Sequence, residues 1–220
     1  MAVNAYKRCI QSHILGRMAH ADVFELSTMS AGLVVFFGGS GVDDEEYIKR
    51  SKTLVPVFDS VFDRNGESPI TFVYICAPYD VPYNRFALER KALANWNAHV
   101  LTELLDPWND LPFYVCSFSG GAALALNGVH QDPRCFGGAA FGADAIPASF
   151  KRPDHWMRPL QLYCGPHDAV CNHPANQELY ARLELREQVS QVRLRQGGHR
   201  LVDYATPECL GEFVRSTSTW

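Results

Sequence analysis

Three residues in this sequence have the types and the order needed to activate a hydroxyl nucleophile. Ser119 follows an apolar run and lies among small residues, while Asp168 and His199 come later, each in a loop after a predicted strand. A serine hydroxyl is a poor nucleophile until a base takes its proton, and a histidine base needs a third group to hold its tautomer. The pattern predicts acyl transfer, with Ser119 as nucleophile, His199 as general base and acid, and Asp168 orienting His199.

The segment around Ser119 reads Ser117-Phe118-Ser119-Gly120-Gly121. It nearly matches G-x-S-x-G, in which a sharp strand-to-helix turn raises a serine above the end of a sheet. Ser117 stands at the first glycine position, and both flanking residues are small enough for strand and helix to pass closely. Small residues also occur in ordinary strand-to-helix turns, so this segment alone leaves both interpretations open.

A glycine-rich loop, Gly38-Gly39-Ser40-Gly41, follows an early buried strand. Acyl transfer needs hydrogen-bond donors aimed at the developing oxyanion. We expect this loop to supply one donor or to bind substrate through Gly38, Gly39 or Ser40. The backbone N–H of Gly120, directly after the nucleophile, is expected to supply the second donor. Such a loop can instead cradle phosphate, but the Lys-Ser/Thr ending of a P-loop and the full G-x-G-x-x-G spacing are absent.

The elements that must position these residues follow from hydrophobic patterning. Strands are expected over 10–15, 23–26, 31–37, 70–76, 113–118, 136–141, 160–164 and 189–194. Helices are expected over about 43–61, 85–105, 121–130, 175–187 and 201–214. Strands that alternate with helices predict an α/β fold, with a mostly parallel central sheet covered by helices on both faces. Ligands collect beyond the C-terminal ends of such strands, where all the candidate residues are placed.

Length and composition limit the class of protein. The 220 residues are 47% hydrophobic and 20% charged, typical of one globular domain over 1–220. A net charge of −4 without a long basic run argues against nucleic acid as a partner. We find no apolar stretch of roughly 18 residues to span a membrane and no apolar signal segment at the N-terminus. We therefore expect a cytoplasmic protein, with a mature, processed secreted protein as the alternative, and the oligomeric state stays open.

The seven cysteines are an odd number without a dense framework. Cys76, Cys116 and Cys164 lie in apolar strand-like runs, which favours reduced, buried thiols and a reducing compartment. The residues Cys164, His167, Cys171 and His173 offer an alternative zinc site, although their spacing matches no common zinc pattern. A disulfide between Cys164 and Cys171 would require an oxidising compartment. We expect no metal and no cofactor.

The chain from 33 to 214 resembles a small α/β-hydrolase. We expect no separate lid domain, because fewer than twenty residues separate the strands over 136–141 and 160–164. The matching motifs are the 38–41 loop, the 117–121 segment, Gly165-Pro166-His167-Asp168-Ala169-Val170 and Gly197-Gly198-His199, in the serine, acid, histidine order of that family. Phe37 stands where many members have histidine, and Ser117 replaces the first glycine.

The resemblance implies cleavage of a carboxylic ester, thioester or amide through an acyl-enzyme, acting on a small-molecule or acyl-carrier substrate. The fold also hosts non-hydrolytic lyases and ligand-binding proteins, which remain the alternative. Asp144, after the strand over 136–141, is the reserve candidate for the acid. Arg200 is a possible anion contact. Aromatic residues that could line an acyl pocket are Tyr79, Tyr83, Phe86, Trp108, Phe118 and Trp156.

Overall fold

The computed structural model describes residues 4–12, 17–26, 29–39, 44–62, 70–76, 102–126, 132–144, 146–209 and 213. The strands are β1 (Asn4–Ser12), β2 (Arg17–Glu25), β3 (Gly32–Phe37), β4 (Ile70–Cys76), β5 (Phe113–Phe118), β6 (Cys135–Phe141), β7 (Leu160–Cys164) and β8 (Val189–Arg193). The α-helices are α1 (Asp44–Phe62), α2 (Gly121–Ala125), α3 (Pro174–Leu185) and α4 (Leu201–Tyr204), and a 3₁₀ turn spans Asp106–Trp108.

The eight strands form one sheet in the order β1-β2-β4-β3-β5-β6-β7-β8. Strands β3 to β8 all run parallel to one another. Strand β2 pairs antiparallel with both β4 and β1. The predicted mostly parallel α/β sheet is therefore confirmed. Because β5, β7 and β8 are parallel, their C-terminal ends meet at one edge of the sheet.

Alternating side chains of the central strands divide the core into two layers, one on each face of the sheet. In β3, Leu33, Val35 and Phe37 belong to one layer, and Val34 and Phe36 belong to the other. Central parallel strands are covered on both faces, which explains why they read as continuous apolar runs rather than as alternating patterns.

Several predicted boundaries differ from the observed ones, and the helix predicted over 121–130 ends at Ala125. The N-terminal hairpin is longer than expected, with β1 starting at Asn4. The closing helix predicted over 201–214 instead ends at Tyr204, and helical residues begin again at Pro207. A residue before proline is disfavoured in the α region, which accounts for the interruption at Thr206. Most of the helix predicted over 85–105 lies outside the described residues. Among the helices described, none is long and apolar enough to cross a membrane.

Candidate active site

Ser119 occupies a sharp turn between β5 and α2. Its φ of 52° lies in the left-handed region, a conformation that non-glycine residues adopt rarely and that recurs at active sites. The turn is fixed by its own backbone, because Ser119 N–H donates to the Phe141 carbonyl at 3.0 Å. The Ser119 carbonyl accepts the N–H groups of Ala122 and Asp144, both at 3.1 Å. The side chain is only partly buried at the C-terminal edge of the sheet.

The glycine after this turn allows α2 to pass against the 38–39 loop. A Cβ on Gly121 would lie 2.5 Å from the carbonyl oxygens of both Phe37 and Gly38, which are backbone atoms. A Cβ on Gly39 would lie 3.4 Å from Ser119 Cβ and 3.0 Å from the Phe118 ring. The predicted loop and the predicted nucleophile turn are therefore in contact.

The candidate oxyanion donors differ in their hydrogen bonding. Gly38 N–H donates to the Ile75 carbonyl at 3.4 Å, so this group is engaged in the sheet. Gly120 is buried beside Ser119, and its N–H has no acceptor among the described residues. Ser40 lies outside the described residues. Among the described residues, the geometry thus favours Gly120 as a donor position.

Asp168 lies in the loop after β7 and is fully buried. Its Oδ1 accepts the backbone N–H groups of Val170 at 2.9 Å and Cys171 at 3.0 Å. Its Oδ2 accepts the Tyr204 hydroxyl. A buried carboxylate needs such donors to offset the loss of hydration.

His199 bridges the other two candidate residues. Its Nδ1 lies 2.9 Å from both carboxylate oxygens of Asp168, and its Nε2 lies 2.9 Å from Ser119 Oγ. The ring stacks on Phe118 with centroids 5.1 Å apart. With the Nδ1 proton directed at Asp168, Nε2 is the acceptor for the Ser119 hydroxyl proton. The structure therefore brings all three predicted side chains together in one hydrogen-bonded chain.

Backbone contacts explain how the β8 loop reaches the site. Gly197 has a φ of 115°, a conformation that favours glycine, and its carbonyl accepts His167 N–H at 3.0 Å. A Cβ on Gly165 would lie 2.6 Å from that same carbonyl. The two candidate loops thus pack backbone to backbone. Gly198 has room for a side chain, since its nearest neighbouring atom would be 3.6 Å from a Cβ.

The electrostatics of the site favour an ionised acid. Burial raises the pKa of Asp168, but hydrogen bonds from His199, Tyr204 and the Cys171 backbone outweigh it, so the net pKa lies below the usual value. Burial and the bond to Asp168 raise the pKa of Tyr204, so its hydroxyl remains a donor at neutral pH. A charged Asp168 is suited to orient His199 and to stabilise its imidazolium.

Cys164 and Cys171 form a disulfide, with an S–S distance of 2.08 Å and Cα atoms 6.0 Å apart. The prediction of a reduced thiol at Cys164 is therefore wrong. The loop after β7 turns back through Asp168, which brings the end of the strand within bridging distance. The bridge also excludes the alternative zinc site, since two of its four ligands are used, and His173 instead caps α3 through Ala175 N–H.

The cytoplasmic location stays a prediction, and this disulfide argues against it, because structural disulfides are rare in reducing compartments. Cys116 is a free buried thiol, as predicted.

Several residues singled out from the sequence take other roles. Trp108 lines a hollow of about 360 Å³ with Glu25, at the opposite edge of the sheet from Ser119. Trp156 is buried in the core against Phe150. Arg200 is exposed and pairs with Asp203 at 2.7 Å. Tyr79, Tyr83 and Phe86 lie outside the described residues.

Sequence reasoning missed two residues of the site. Tyr204 is buried and bonded to Asp168, yet nothing in the pattern of its short helix distinguishes it from a core tyrosine. Gly142 follows β6 with a φ of 52°, and a Cβ there would lie 2.6 Å from Asp168 Oδ2. For Gly142, the only pattern in the sequence that could have indicated it is a glycine directly after a predicted strand.

No family model matches the sequence, and no curated protein is significantly similar to it. Solved structures do match over nearly the whole chain. Esterase PE8 has a TM-score of 0.64 at 16% identity, covering 97% of this chain and 99% of that one. A cold-adapted esterase from an Arctic intertidal metagenomic library has a TM-score of 0.68 at 12% identity, covering 98% and 95%.

The enterobactin esterase FES from Shigella flexneri has a TM-score of 0.70 at 18% identity. That match covers 98% of this chain and 60% of that one. At these identities the similarity shows the fold, which is the α/β-hydrolase-like fold of these esterases.

Proposed function

We propose that this protein is a serine hydrolase that cleaves a carboxylic ester or thioester through an acyl-enzyme on Ser119. The observation that carries the proposal is the hydrogen-bonded chain from Ser119 Oγ through His199 to the buried carboxylate of Asp168. These three side chains lie beyond the C-terminal ends of the parallel strands, where α/β folds bind ligands. The esterase names of the structural neighbours make an ester the first substrate class to test.

In the proposed reaction, His199 Nε2 takes the Ser119 proton as Oγ attacks the substrate carbonyl. Gly120 N–H and a backbone donor of the 38–41 loop stabilise the oxyanion of the tetrahedral intermediate. His199 then returns the proton to the leaving alcohol or thiol. Water attacks the acyl-enzyme by the same route and releases the carboxylic acid. Asp168 stays ionised and holds the histidine in the productive tautomer.

The substrate is a small molecule or an acyl-carrier ester or thioester. Asp168 is fully buried, and the Phe118 ring stacks on His199. Protein atoms therefore shield one side of the proton-transfer path from water. That arrangement suits a site in which substrate covers the remaining face.

The test is turnover of a panel of p-nitrophenyl esters and acyl-thioesters of increasing chain length. We expect sustained turnover by the wild type and loss of turnover in Ser119→Ala at unchanged melting temperature. Tight binding of an ester analogue with no turnover of any panel member would instead indicate a non-hydrolytic binding protein or lyase on this fold.

A further inference from the structure

Tyr204 joins two segments of the loop that carries Asp168. It ends α4, is 1% exposed, and its hydroxyl donates to Asp168 Oδ2. The same hydroxyl accepts the Gly165 N–H at 3.1 Å. One buried group therefore ties the start of the loop, at the end of β7, to the carboxylate in its middle.

The donors around the carboxylate divide into two sets. The backbone N–H groups of Val170 and Cys171 belong to the loop itself, and both bind Oδ1. Besides His199, Tyr204 is the one side chain among the described residues that donates to Asp168, and it binds the other oxygen. Without this donor, the backbone bonds fix Oδ1, and only the histidine would restrain Oδ2.

Tyr204 and His199 come from the same short segment. His199 precedes α4 and Tyr204 ends it, so the two side chains hold one carboxylate from a segment of six residues. A shift of Tyr204 would displace the carboxylate relative to the imidazole that it orients. Stacking of Phe118 on His199 and its packing beside Tyr204, with ring centroids 6.0 Å apart, support both rings.

We propose that Tyr204 is a positioning residue that fixes the orientation of the Asp168 carboxylate, so that His199 presents Nε2 to Ser119. It acts through Asp168 and does not touch the reacting atoms. This inference rests on the proposed hydrolase function. Loss of the hydroxyl removes a charge-assisted hydrogen bond and misaligns the base.

The test compares Tyr204→Phe with Tyr180→Phe. Tyr180 is a matched control because it is equally buried and its hydroxyl donates to a backbone carbonyl, that of Ala143. We expect Tyr204→Phe to lower kcat about 10- to 100-fold, with KM changed less than about twofold. In the Asp168→Asn background, Tyr204→Phe should cost little further activity, because the hydroxyl acts through that carboxylate. Tyr180→Phe should lower the melting temperature by a comparable amount but should change neither kcat nor KM.

Equal kinetics in the two variants, or a fall in activity that only tracks the melting temperature, would overturn the role of Tyr204 and leave the hydrolase proposal standing. If Tyr204→Phe lowers kcat as much in Asp168→Asn as in the wild type, the hydroxyl does not act through Asp168, and the proposal is also wrong. Wild-type protein that hydrolyses no ester or thioester would overturn the hydrolase function, and the positioning role with it.

Discussion

At the scale of single residues, the site depends on three side chains that are distant in sequence and joined by hydrogen bonds of 2.9 Å. Ser119 supplies a hydroxyl in a rare backbone conformation, and His199 supplies a base directed at it. Asp168 is fully buried yet accepts donors on both oxygens, which keeps a charge in the interior. Groups arranged in this way act as a unit, so the effects of removing them should not add.

The first prediction concerns that unit. Ser119→Ala and His199→Ala should each lower kcat by about 10⁴-fold or more, and the double variant should be scarcely worse than either. Asp168→Asn should cost somewhat less, because residual orientation of His199 survives. A double-mutant cycle on kcat/KM measures this, with thermal melts as the folding control.

Asp144→Asn is the matched control for the acid. Asp144 is close in space, since its backbone N–H donates to the Ser119 carbonyl, but among the described contacts the acid bonded to His199 is Asp168. Asp144→Asn should therefore be nearly silent. Independent, multiplicative effects of the Ser119 and His199 changes, or an essential Asp144 beside a silent Asp168, would show that the roles are wrongly assigned.

The second prediction is a dependence of stability on pH. The folded state lowers the pKa of Asp168, so its contribution is fully present above the unfolded value of about 3.9 and is lost as pH falls through the folded value. Urea unfolding from pH 7 down to pH 3 should therefore show a steeper loss of stability in the wild type than in Asp168→Asn. Parallel curves for the two proteins would mean that Asp168 gains no protection against protonation on folding.

At the scale of elements, the site is assembled from loops that follow parallel strands and pack backbone to backbone. The 38–39 loop lies against the start of α2, and the β7 loop lies against the β8 loop. Gly121 and Gly165 stand at these two contacts, where a side chain would meet a carbonyl oxygen at 2.5–2.6 Å. The glycines of the predicted motifs are thus required by packing between elements as well as by turn conformation.

The third prediction tests the contact between α2 and the 38–39 loop. Gly121→Ala should destabilise the fold by about 1–3 kcal/mol, because the added methyl group meets backbone atoms that cannot rotate away. It should also lower kcat, since the 38–39 loop, which we propose supplies an oxyanion donor, must shift. Gly198→Ala is the control, because its Cβ has ordinary space. Chemical denaturation of both variants gives the comparison, and equal stabilities would refute the packing argument.

The fourth prediction concerns the Cys164–Cys171 disulfide, which closes the loop around Asp168. Constraining the unfolded chain over a loop of this size is worth about 2–3 kcal/mol in the chain-entropy view. Reduction should lower the melting temperature, and it should lower activity because Cys171 N–H is a donor to Asp168. The Cys164→Ala/Cys171→Ala double variant should resemble the reduced wild type and should not respond to reductant. A wild-type melt that is the same with and without reductant would show that the loop does not depend on the bridge.

At the scale of the whole molecule, a parallel sheet gathers residues that are far apart in sequence at one edge. The strands can be predicted from local apolar runs such as β3 and β5, and the candidate side chains lie in the loops that follow such runs. The sheet and the three candidate side chains could therefore be predicted from the sequence. The role of Tyr204 could not, because it depends on how α4 and the β7 loop meet in space. The Cys164–Cys171 bridge could be named only as an option, because the sequence does not show the compartment that such a bond requires. Pro207 indicates a break in the helix at Thr206. The apolar pattern on both sides of it favours a continuous helix over 201–214, which is the helix that the sequence predicts.

The most direct test of the account is labelling with a fluorophosphonate probe, which reacts covalently with a serine activated by a neighbouring base. We expect one adduct per protein molecule by intact mass, located on Ser119 by peptide mapping, and no adduct in folded Ser119→Ala. Labelling should fall sharply in His199→Ala. Absence of an adduct in well-folded wild-type protein, or an adduct at another serine, would contradict the central claim that Ser119 is an activated nucleophile.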